Sequence, residues 1–267
     1  MSEEEEKEGI VKTRGRGIYL LPNLFTLAAL FAGFYAIVAA TQDRYEAAAV
    51  AIFIAMVLDN LDGRIARMTN TQSDFGAQLD SLADMISFGL APALVMYEWA
   101  LFAMREYGWH WSKLGWLAAF VYVACAALRL ARFNTQIGKS DKRYFQGLPS
   151  PPSAAIMVGL VWVGEDLGYQ GKQLLILALI TTVLCGLLMV SRFSYYSFKE
   201  LGGQHRVPFA TLLLVVLVLV FVTFDPAKVL FMFFFVYMLS GPLIGLIRKL
   251  RKRRLLKKQQ ELPEPPE

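Results

Sequence analysis

Apolar residues along this chain gather into stretches separated by short polar intervals, and most stretches are about twenty residues long, the length a helix needs to cross a bilayer. They run at roughly 18–41, 45–67, 76–104, 113–133, 151–166, 172–191, 207–224 and 227–247. Eight stretches predict an all-α polytopic membrane protein with about eight transmembrane helices and both termini on one side. The polar intervals test the count, because Lys and Arg are retained on the cytoplasmic side of a membrane. Taking alternate intervals (1–17, 64–75, 129–150, 192–206 and 248–258) collects 22 of the 27 basic residues. Arg44, Arg105, Lys113, Lys172 and Lys228 fall in the others. The expectation is a multi-pass protein of the cell membrane with cytoplasmic N- and C-termini.

Composition agrees with the pattern. Of 267 residues, 56% are hydrophobic, and the mean hydropathy is +0.44. That is too apolar for one soluble domain and excludes a secreted or cytosolic enzyme. The net charge of +5 matters less than where the charges lie, and no nucleic-acid partner is expected. Cys125 and Cys185 both sit inside apolar runs, which rules out a disulfide framework and leaves packing as their role. Residues 1–17 read as an acidic cytoplasmic tail, and the full-length first span after it is expected to stay as an anchor rather than be cleaved. Residues 18–247 form the membrane domain, with a catalytic core at about 17–191. Residues 248–267 read as a basic segment lying on the anionic inner leaflet, followed by a Pro/Glu-rich tail. Repeats and Gly-rich phosphate loops of the Walker or dinucleotide type are absent.

The chemistry concentrates between residues 59 and 84. Asp59 and Asp62 are three apart and share a helix face; Gly76, Asp80 and Asp84 are four apart and form a stripe on the next helix. A short turn near Asn70 makes the two helices antiparallel neighbours and brings the pairs together. Four carboxylates so crowded repel one another, and bound cations relieve that better than protonation. With oxygen donors only, the ions should be hard ones, Mg²⁺ or Mn²⁺. A pair of such ions about 3.5–4 Å apart is the arrangement used for displacement at phosphorus. Arg64 and Arg67, within a turn of the carboxylates, offer grips for phosphate or, in the plainer reading, structural salt bridges. Gly63 and Gly76 let a ligand, or another helix, approach the backbone. The aspartates lie just before the basic pair that marks the cytoplasmic border, so the site should face the cytoplasm, where a soluble head group meets a lipid anchor.

The segment fills every specified position of the signature D-x2-D-G-x2-A-R-x8-G-x3-D-x3-D and thereby resembles the CDP-alcohol phosphatidyltransferase family. Leu21-Pro22-Asn23-Leu24-Phe25-Thr26, the run Ser81 to Pro92, Ala131-Arg132-Phe133-Asn134 and the run Phe145 to Pro151 are similar to the branch that makes phosphatidylserine and CMP from CDP-diacylglycerol and L-serine. The resemblance covers about residues 17–165. It implies two divalent cations on Asp59, Asp62, Asp80 and Asp84, with Asp84 as the base that takes the proton of the attacking hydroxyl. It implies CDP-diacylglycerol contacts at Asn23, Thr26, Asp62, Gly63, Arg67, Ser73 and Gly76, and membrane lipids and a second copy of the chain, as a homodimer, among the partners. Asn23 and Ser73 are also plausible as plain helix caps.

A serine carboxylate needs a fixed positive partner. Arg129, Arg132, Lys142 and Arg143 follow the fourth span, with Asn134 as a polar neighbour; all five are candidates for the acceptor pocket, or loop charges that set topology. The run Gly147 to Pro152 is at least a turn that starts the fifth helix. His110 and His205 have no ligand neighbours and read as ordinary loop residues. Gly241 and Gly245 form a small-xxx-small pair for packing within the chain or against a second copy. Two other readings stand beside this one: the same core with glycerol 3-phosphate or inositol phosphate as acceptor, and a divalent-cation transporter.

Overall fold

The computed structural model describes residues 17–135, 144–196 and 209–260. Helix α1 (Gly17–Ala40) lies along α2 (Tyr45–Thr69). Their shared face is made of Ala29, Ala32, Ala36 and Ala39 on the first helix and Ala48, Ala49, Ala55 and Ile52 on the second, all buried. In a bilayer the lipid is as apolar as leucine, so close backbone approach through small side chains, rather than exclusion of water, holds two helices together. Helix α2 stops at Asn70, whose left-handed backbone (φ 51°) returns its N–H to the Ala66 and Arg67 carbonyls. Ser73 then caps α3 (Asp74–Asp84), its hydroxyl accepting from the Gly76 N–H at 3.0 Å. The predicted turn near Asn70 is therefore present, but α3 packs against α1 rather than lying along α2 as an antiparallel neighbour.

The third apolar stretch is not one regular helix. After Asp84 the chain widens into a π-helical segment, Met85–Leu90, before α4 (Ala91–Trp99). Polar groups from neighbouring helices meet this turn: Ser87 Oγ donates to the Ala29 carbonyl on α1, and the Phe88 carbonyl accepts from the Tyr122 hydroxyl, each at 3.0 Å. Gly33 supplies the room, since a Cβ there would lie 2.5 Å from Ser87 Oγ. The helix ends at Trp99 instead of the expected 104, and Leu101–Tyr107 forms a 3₁₀ turn. The chain breaks there because Ala100 leaves helical geometry at φ −130°.

Helix α5 (Trp109–Thr135) follows, then α6 (Ser150–Asp166), a 3₁₀ turn at Gly171–Leu174, and α7 (Leu175–Val190). From Ser153 to Val161 every residue of α6 is buried, as befits a helix apolar on all sides at the centre of a bundle. Strands β1 (Tyr144–Gln146) and β2 (Ser194–Tyr196) pair antiparallel, a two-stranded ribbon that the apolar pattern did not predict. Helices α8 (Phe209–Phe224) and α9 (Pro226–Gln260) complete the described chain.

Among the described residues, five helical stretches are long and apolar enough to cross a membrane: Leu21–Ala40, Asp74–Trp99, Trp109–Thr135, Gly171–Val190 and Pro226–Gly245. The protein is thus an all-α polytopic membrane protein. The other three predicted spans coincide with α2, α6 and α8. The first of these carries the charges of Asp59, Asp62, Arg64 and Arg67, and the other two have 17 and 16 residues. Residues 1–16 and 261–267, Lys142, Arg143 and His205 lie outside the described residues, while the basic segment at 248–258, expected as a tail, continues α9 as helix to Gln260.

Candidate metal centre

The turn between α2 and α3 brings carboxylates of the two helices together, with α3 seated on α1. Asp59, Asp62 and Asp80 each present a carboxylate oxygen, and the three atoms lie within 4.8 Å of one another. Asp84, one turn beyond Asp80, stands within electrostatic reach of Asp59, Asp80 and Arg129. Three of the four acids therefore converge from two helices on one point, and Asp84 adjoins them. Hard divalent cations bind oxygen at about 2.0–2.6 Å, so ligands of one ion sit no more than about 5 Å apart. The cluster meets that limit with oxygen donors alone, and this donor set fits Mg²⁺ or Mn²⁺ better than a softer ion.

Helix α1 fixes one member of the set. The Thr26 hydroxyl, 4% exposed, donates to Asp62 Oδ2 at 2.6 Å and also reaches the Pro22 carbonyl at 3.2 Å. The Gly63 N–H donates to the same carboxylate, and Arg67 stands within electrostatic reach. Asp62 is itself only 5% exposed, so these groups replace the water it lost on burial. Thr26, expected to touch the nucleotide, thus orients a metal-ligand candidate from a helix 36 residues away in sequence.

Asn23, Ser73 and Gly76 form a second group beside the acids. A Cβ at Gly76 would lie 3.2 Å from both Asn23 Oδ1 and Ser73 Oγ, so the three positions face one another. Asn23 is not a helix cap, because α1 begins six residues earlier at Gly17. Ser73 is the cap of α3, and its hydroxyl lies on the Asn23 side of the turn. Arg67 Nη1 lies 3.6 Å from where a Gly63 Cβ would be, so the guanidinium folds back over the bare backbone.

Of the acceptor-pocket candidates, the structure brings Arg129 to the acids and sets the other two described ones further round. Arg129 donates through Nη1 to Ser150 Oγ at 2.7 Å, which ties the end of α5 to the first turn of α6 beside Asp84. Arg132 donates instead to the Gln146 side chain on β1, and Asn134 Nδ2 donates to Ser81 Oγ on α3 at 3.0 Å. Sequence reasoning missed Ser150, Gln146 and Ser81 as partners. The signal for Ser150 was its place in the Gly147–Pro152 turn, where Gly147 adopts φ +81° against the Met189 carbonyl. A cavity of about 290 Å³ lined by Tyr45, Glu98, Arg105, Glu165 and Lys172 involves none of these residues. Gly241 and Gly245 are used within the chain, closing on the rings of Tyr195 and Phe193.

The CDP-alcohol phosphatidyltransferase family matches over residues 19–184. The chain is similar to a CDP-diacylglycerol–serine O-phosphatidyltransferase of Helicobacter pylori, 36% identical over 224 residues, with 84% of this chain and 90% of the relative covered. A protein of the same name from Bacillus subtilis is 34% identical over 187 residues, covering 69% and 94%. Another, from Methanocaldococcus jannaschii, is 38% identical over 144 residues, covering 54% and 61%. The family match contains the four aspartates and Thr26, and with the likeness to the Helicobacter pylori protein over 84% of this chain it makes this chain a member of the CDP-alcohol phosphatidyltransferase family.

Proposed function

We propose that the protein transfers the phosphatidyl group of CDP-diacylglycerol to the hydroxyl of L-serine, giving phosphatidylserine and CMP. The observation that carries the chemistry is the convergence of Asp59, Asp62 and Asp80 on one point, with Asp84 beside them and Arg129 near Asp84. The names of the three relatives support serine as the acceptor. Two divalent cations, Mg²⁺ or Mn²⁺, held by the four aspartates, would offset the charge of the pyrophosphate. Asn23, Ser73, Gly63, Gly76 and Arg67 hold the CDP moiety, the glycines by letting it approach the backbone and the arginine by pairing with phosphate. Thr26 keeps Asp62 in the orientation that binding needs. Arg129 receives the serine carboxylate, with Arg132 and Asn134 at the rim of the pocket.

Asp84 accepts the proton of the serine hydroxyl as its oxygen attacks the phosphorus that bears diacylglycerol, and the bond from that phosphorus to the CMP oxygen breaks. Placement of this site toward the cytoplasm of the cell membrane, with both termini on that side and eight passes, rests on the distribution of basic residues. A homodimer is part of the proposal on family resemblance.

The test is CMP release by the purified protein in detergent with CDP-diacylglycerol and Mg²⁺ or Mn²⁺. L-Serine is compared with glycerol 3-phosphate and inositol phosphate. Release that requires both the metal and L-serine is expected. Release with another acceptor alone overturns the choice of serine, and no release with any alcohol overturns the transferase reading.

A further inference from the structure

The family match ends at residue 184, within α7, yet the chain continues through β2, α8 and α9. What that later part contributes can be followed from Arg129. Its guanidinium leaves α5 on a flexible stem, and a carboxylate receptor of this kind works only if the fork is held in one orientation. One contact comes from α6, where Ser150, fully buried, accepts from Nη1 at 2.7 Å. On α9, the Tyr237 phenol stands within electrostatic reach of the guanidinium.

Tyr237 is itself firmly placed. Its ring lies 5.5 Å, centroid to centroid, from that of Tyr195 on β2. Tyr195 is fully buried, donates its hydroxyl to the Met238 carbonyl at 3.1 Å, and packs on the bare backbone of Gly241. Strand β2 pairs with β1, whose Gln146 accepts from Arg132. Gly159 of α6 meets Phe231 of α9 one to two turns from Tyr237, so the last helix is seated on the central one. A continuous path of packed groups therefore runs from α9 and the ribbon to both arginines.

We infer that Ser150 and Tyr237 are positioning residues that hold the Arg129 fork for the acceptor's carboxylate, and that α9 is thereby the part of the chain that sets acceptor choice. This rests on the assignment of Arg129 to the serine carboxylate. Ser150 takes one N–H of the guanidinium, which has five, and leaves the rest for a carboxylate on the side facing Asp84. Tyr237, a neutral phenol, stands near the guanidinium without competing for its charge. An amino alcohol without a carboxylate, such as ethanolamine, gains nothing from this arrangement.

The experiment is steady-state kinetics of the full-length protein in detergent, with L-serine and with ethanolamine, for Ser150→Ala, Tyr237→Phe and Arg129→Lys. Ser150→Ala is expected to raise the KM for L-serine about tenfold, the size of one lost hydrogen bond to a charged group. The KM for CDP-diacylglycerol should hold, and the preference for serine over ethanolamine should fall by the same factor. Tyr237→Phe, which keeps the ring packing, should raise the serine KM about threefold to fivefold. In the Arg129→Lys background neither change should have a further effect. Equal changes in both substrates' KM values, or an unchanged serine KM in both variants while Arg129→Lys raises it, overturns the inference alone. An unchanged serine KM in Arg129→Lys overturns the underlying assignment as well. Should Ser150→Ala fail to yield folded protein, Tyr237→Phe decides.

Discussion

The contact between Thr26 and Asp62 separates two roles that the family resemblance merges. Replacing Thr26 by Val keeps the shape of the side chain and removes the 2.6 Å hydrogen bond. A hydrogen bond to a charged acceptor is worth about 1.5–3 kcal/mol, and here it is buried. If that energy serves to hold Asp62 in its metal-binding orientation, it equals roughly a 10- to 150-fold loss in cation affinity, in the range found when partners of metal ligands are removed. The assay is CMP release as a function of Mg²⁺ or Mn²⁺ concentration at saturating lipid substrate and L-serine. The midpoint should move upward by about one to two decades, activity should recover largely at high metal, and Thr26→Ser should restore the wild-type midpoint. An unchanged metal midpoint together with a raised KM for CDP-diacylglycerol would refute the reasoning and return Thr26 to the nucleotide.

Four further outcomes follow from the same geometry. Asp84→Asn, nearly isosteric, should lower turnover by about 10²–10⁴-fold with an unchanged melting temperature, and near-normal activity would remove Asp84 from the base role. Treatment with EDTA should abolish CMP release and added Mg²⁺ or Mn²⁺ should restore it; activity that persists in chelator contradicts a metal-dependent reaction. Gly76→Ala places a methyl 3.2 Å from Asn23 Oδ1 and Ser73 Oγ, two side-chain ends able to move aside. It should therefore leave melting almost unchanged while raising the KM for CDP-diacylglycerol, and a large fall in melting temperature would show a packing role instead. Gly147→Ala meets a left-handed backbone and the Met189 carbonyl at once, so a cost of about 2–3 kcal/mol is expected, read as a drop of about 5–10 °C in detergent.

How far the sequence could be read depended on the range of the interaction. Periodicity within one helix was legible: Asp59 and Asp62 share a face that meets Asp80, Asp84 stands beside Asp80, and Asn70 ends α2 where the chain turns into α3. The eight apolar stretches each overlap a helix for the same reason. Contacts between helices were not legible. Nothing local in Thr26 points to Asp62, and nothing in Arg129 points to Ser150. Asn23 read as a cap from its residue type near the start of the first span, but it lies six residues inside α1, which begins at Gly17. The π-helical turn after Asp84 leaves no trace in the apolar pattern, since Met85, Ile86, Phe88 and Leu90 read as one more apolar run. The ribbon was missed because strands of three residues are too short for alternation to register.

The placing of the π-helical turn has a mechanical consequence for the site. Helix α3 must present Asp80 and Asp84 toward α2 while the chain beyond, α4, packs into the apolar core through Val95, Met96 and Trp99. A regular helix advances 100° per residue, so a polar stripe ending at Asp84 and an apolar face resuming a few residues on would stay in fixed rotation to each other. One wider turn between them changes that rotation, and polar groups from α1 and α5 meet it on either side, Ser87 with Ala29 and Tyr122 with Phe88. The acids of α3 and the apolar helix α4 can then each face the partner they need. The same α1 that receives Ser87 carries Thr26 one turn away from Ala29, so the helix that supports the wide turn also holds Asp62. Chain geometry at the π-helical segment and ligand geometry at the acids are therefore set by one rigid element, and its alanine face against α2 keeps that element in register with Asp59 and Asp62.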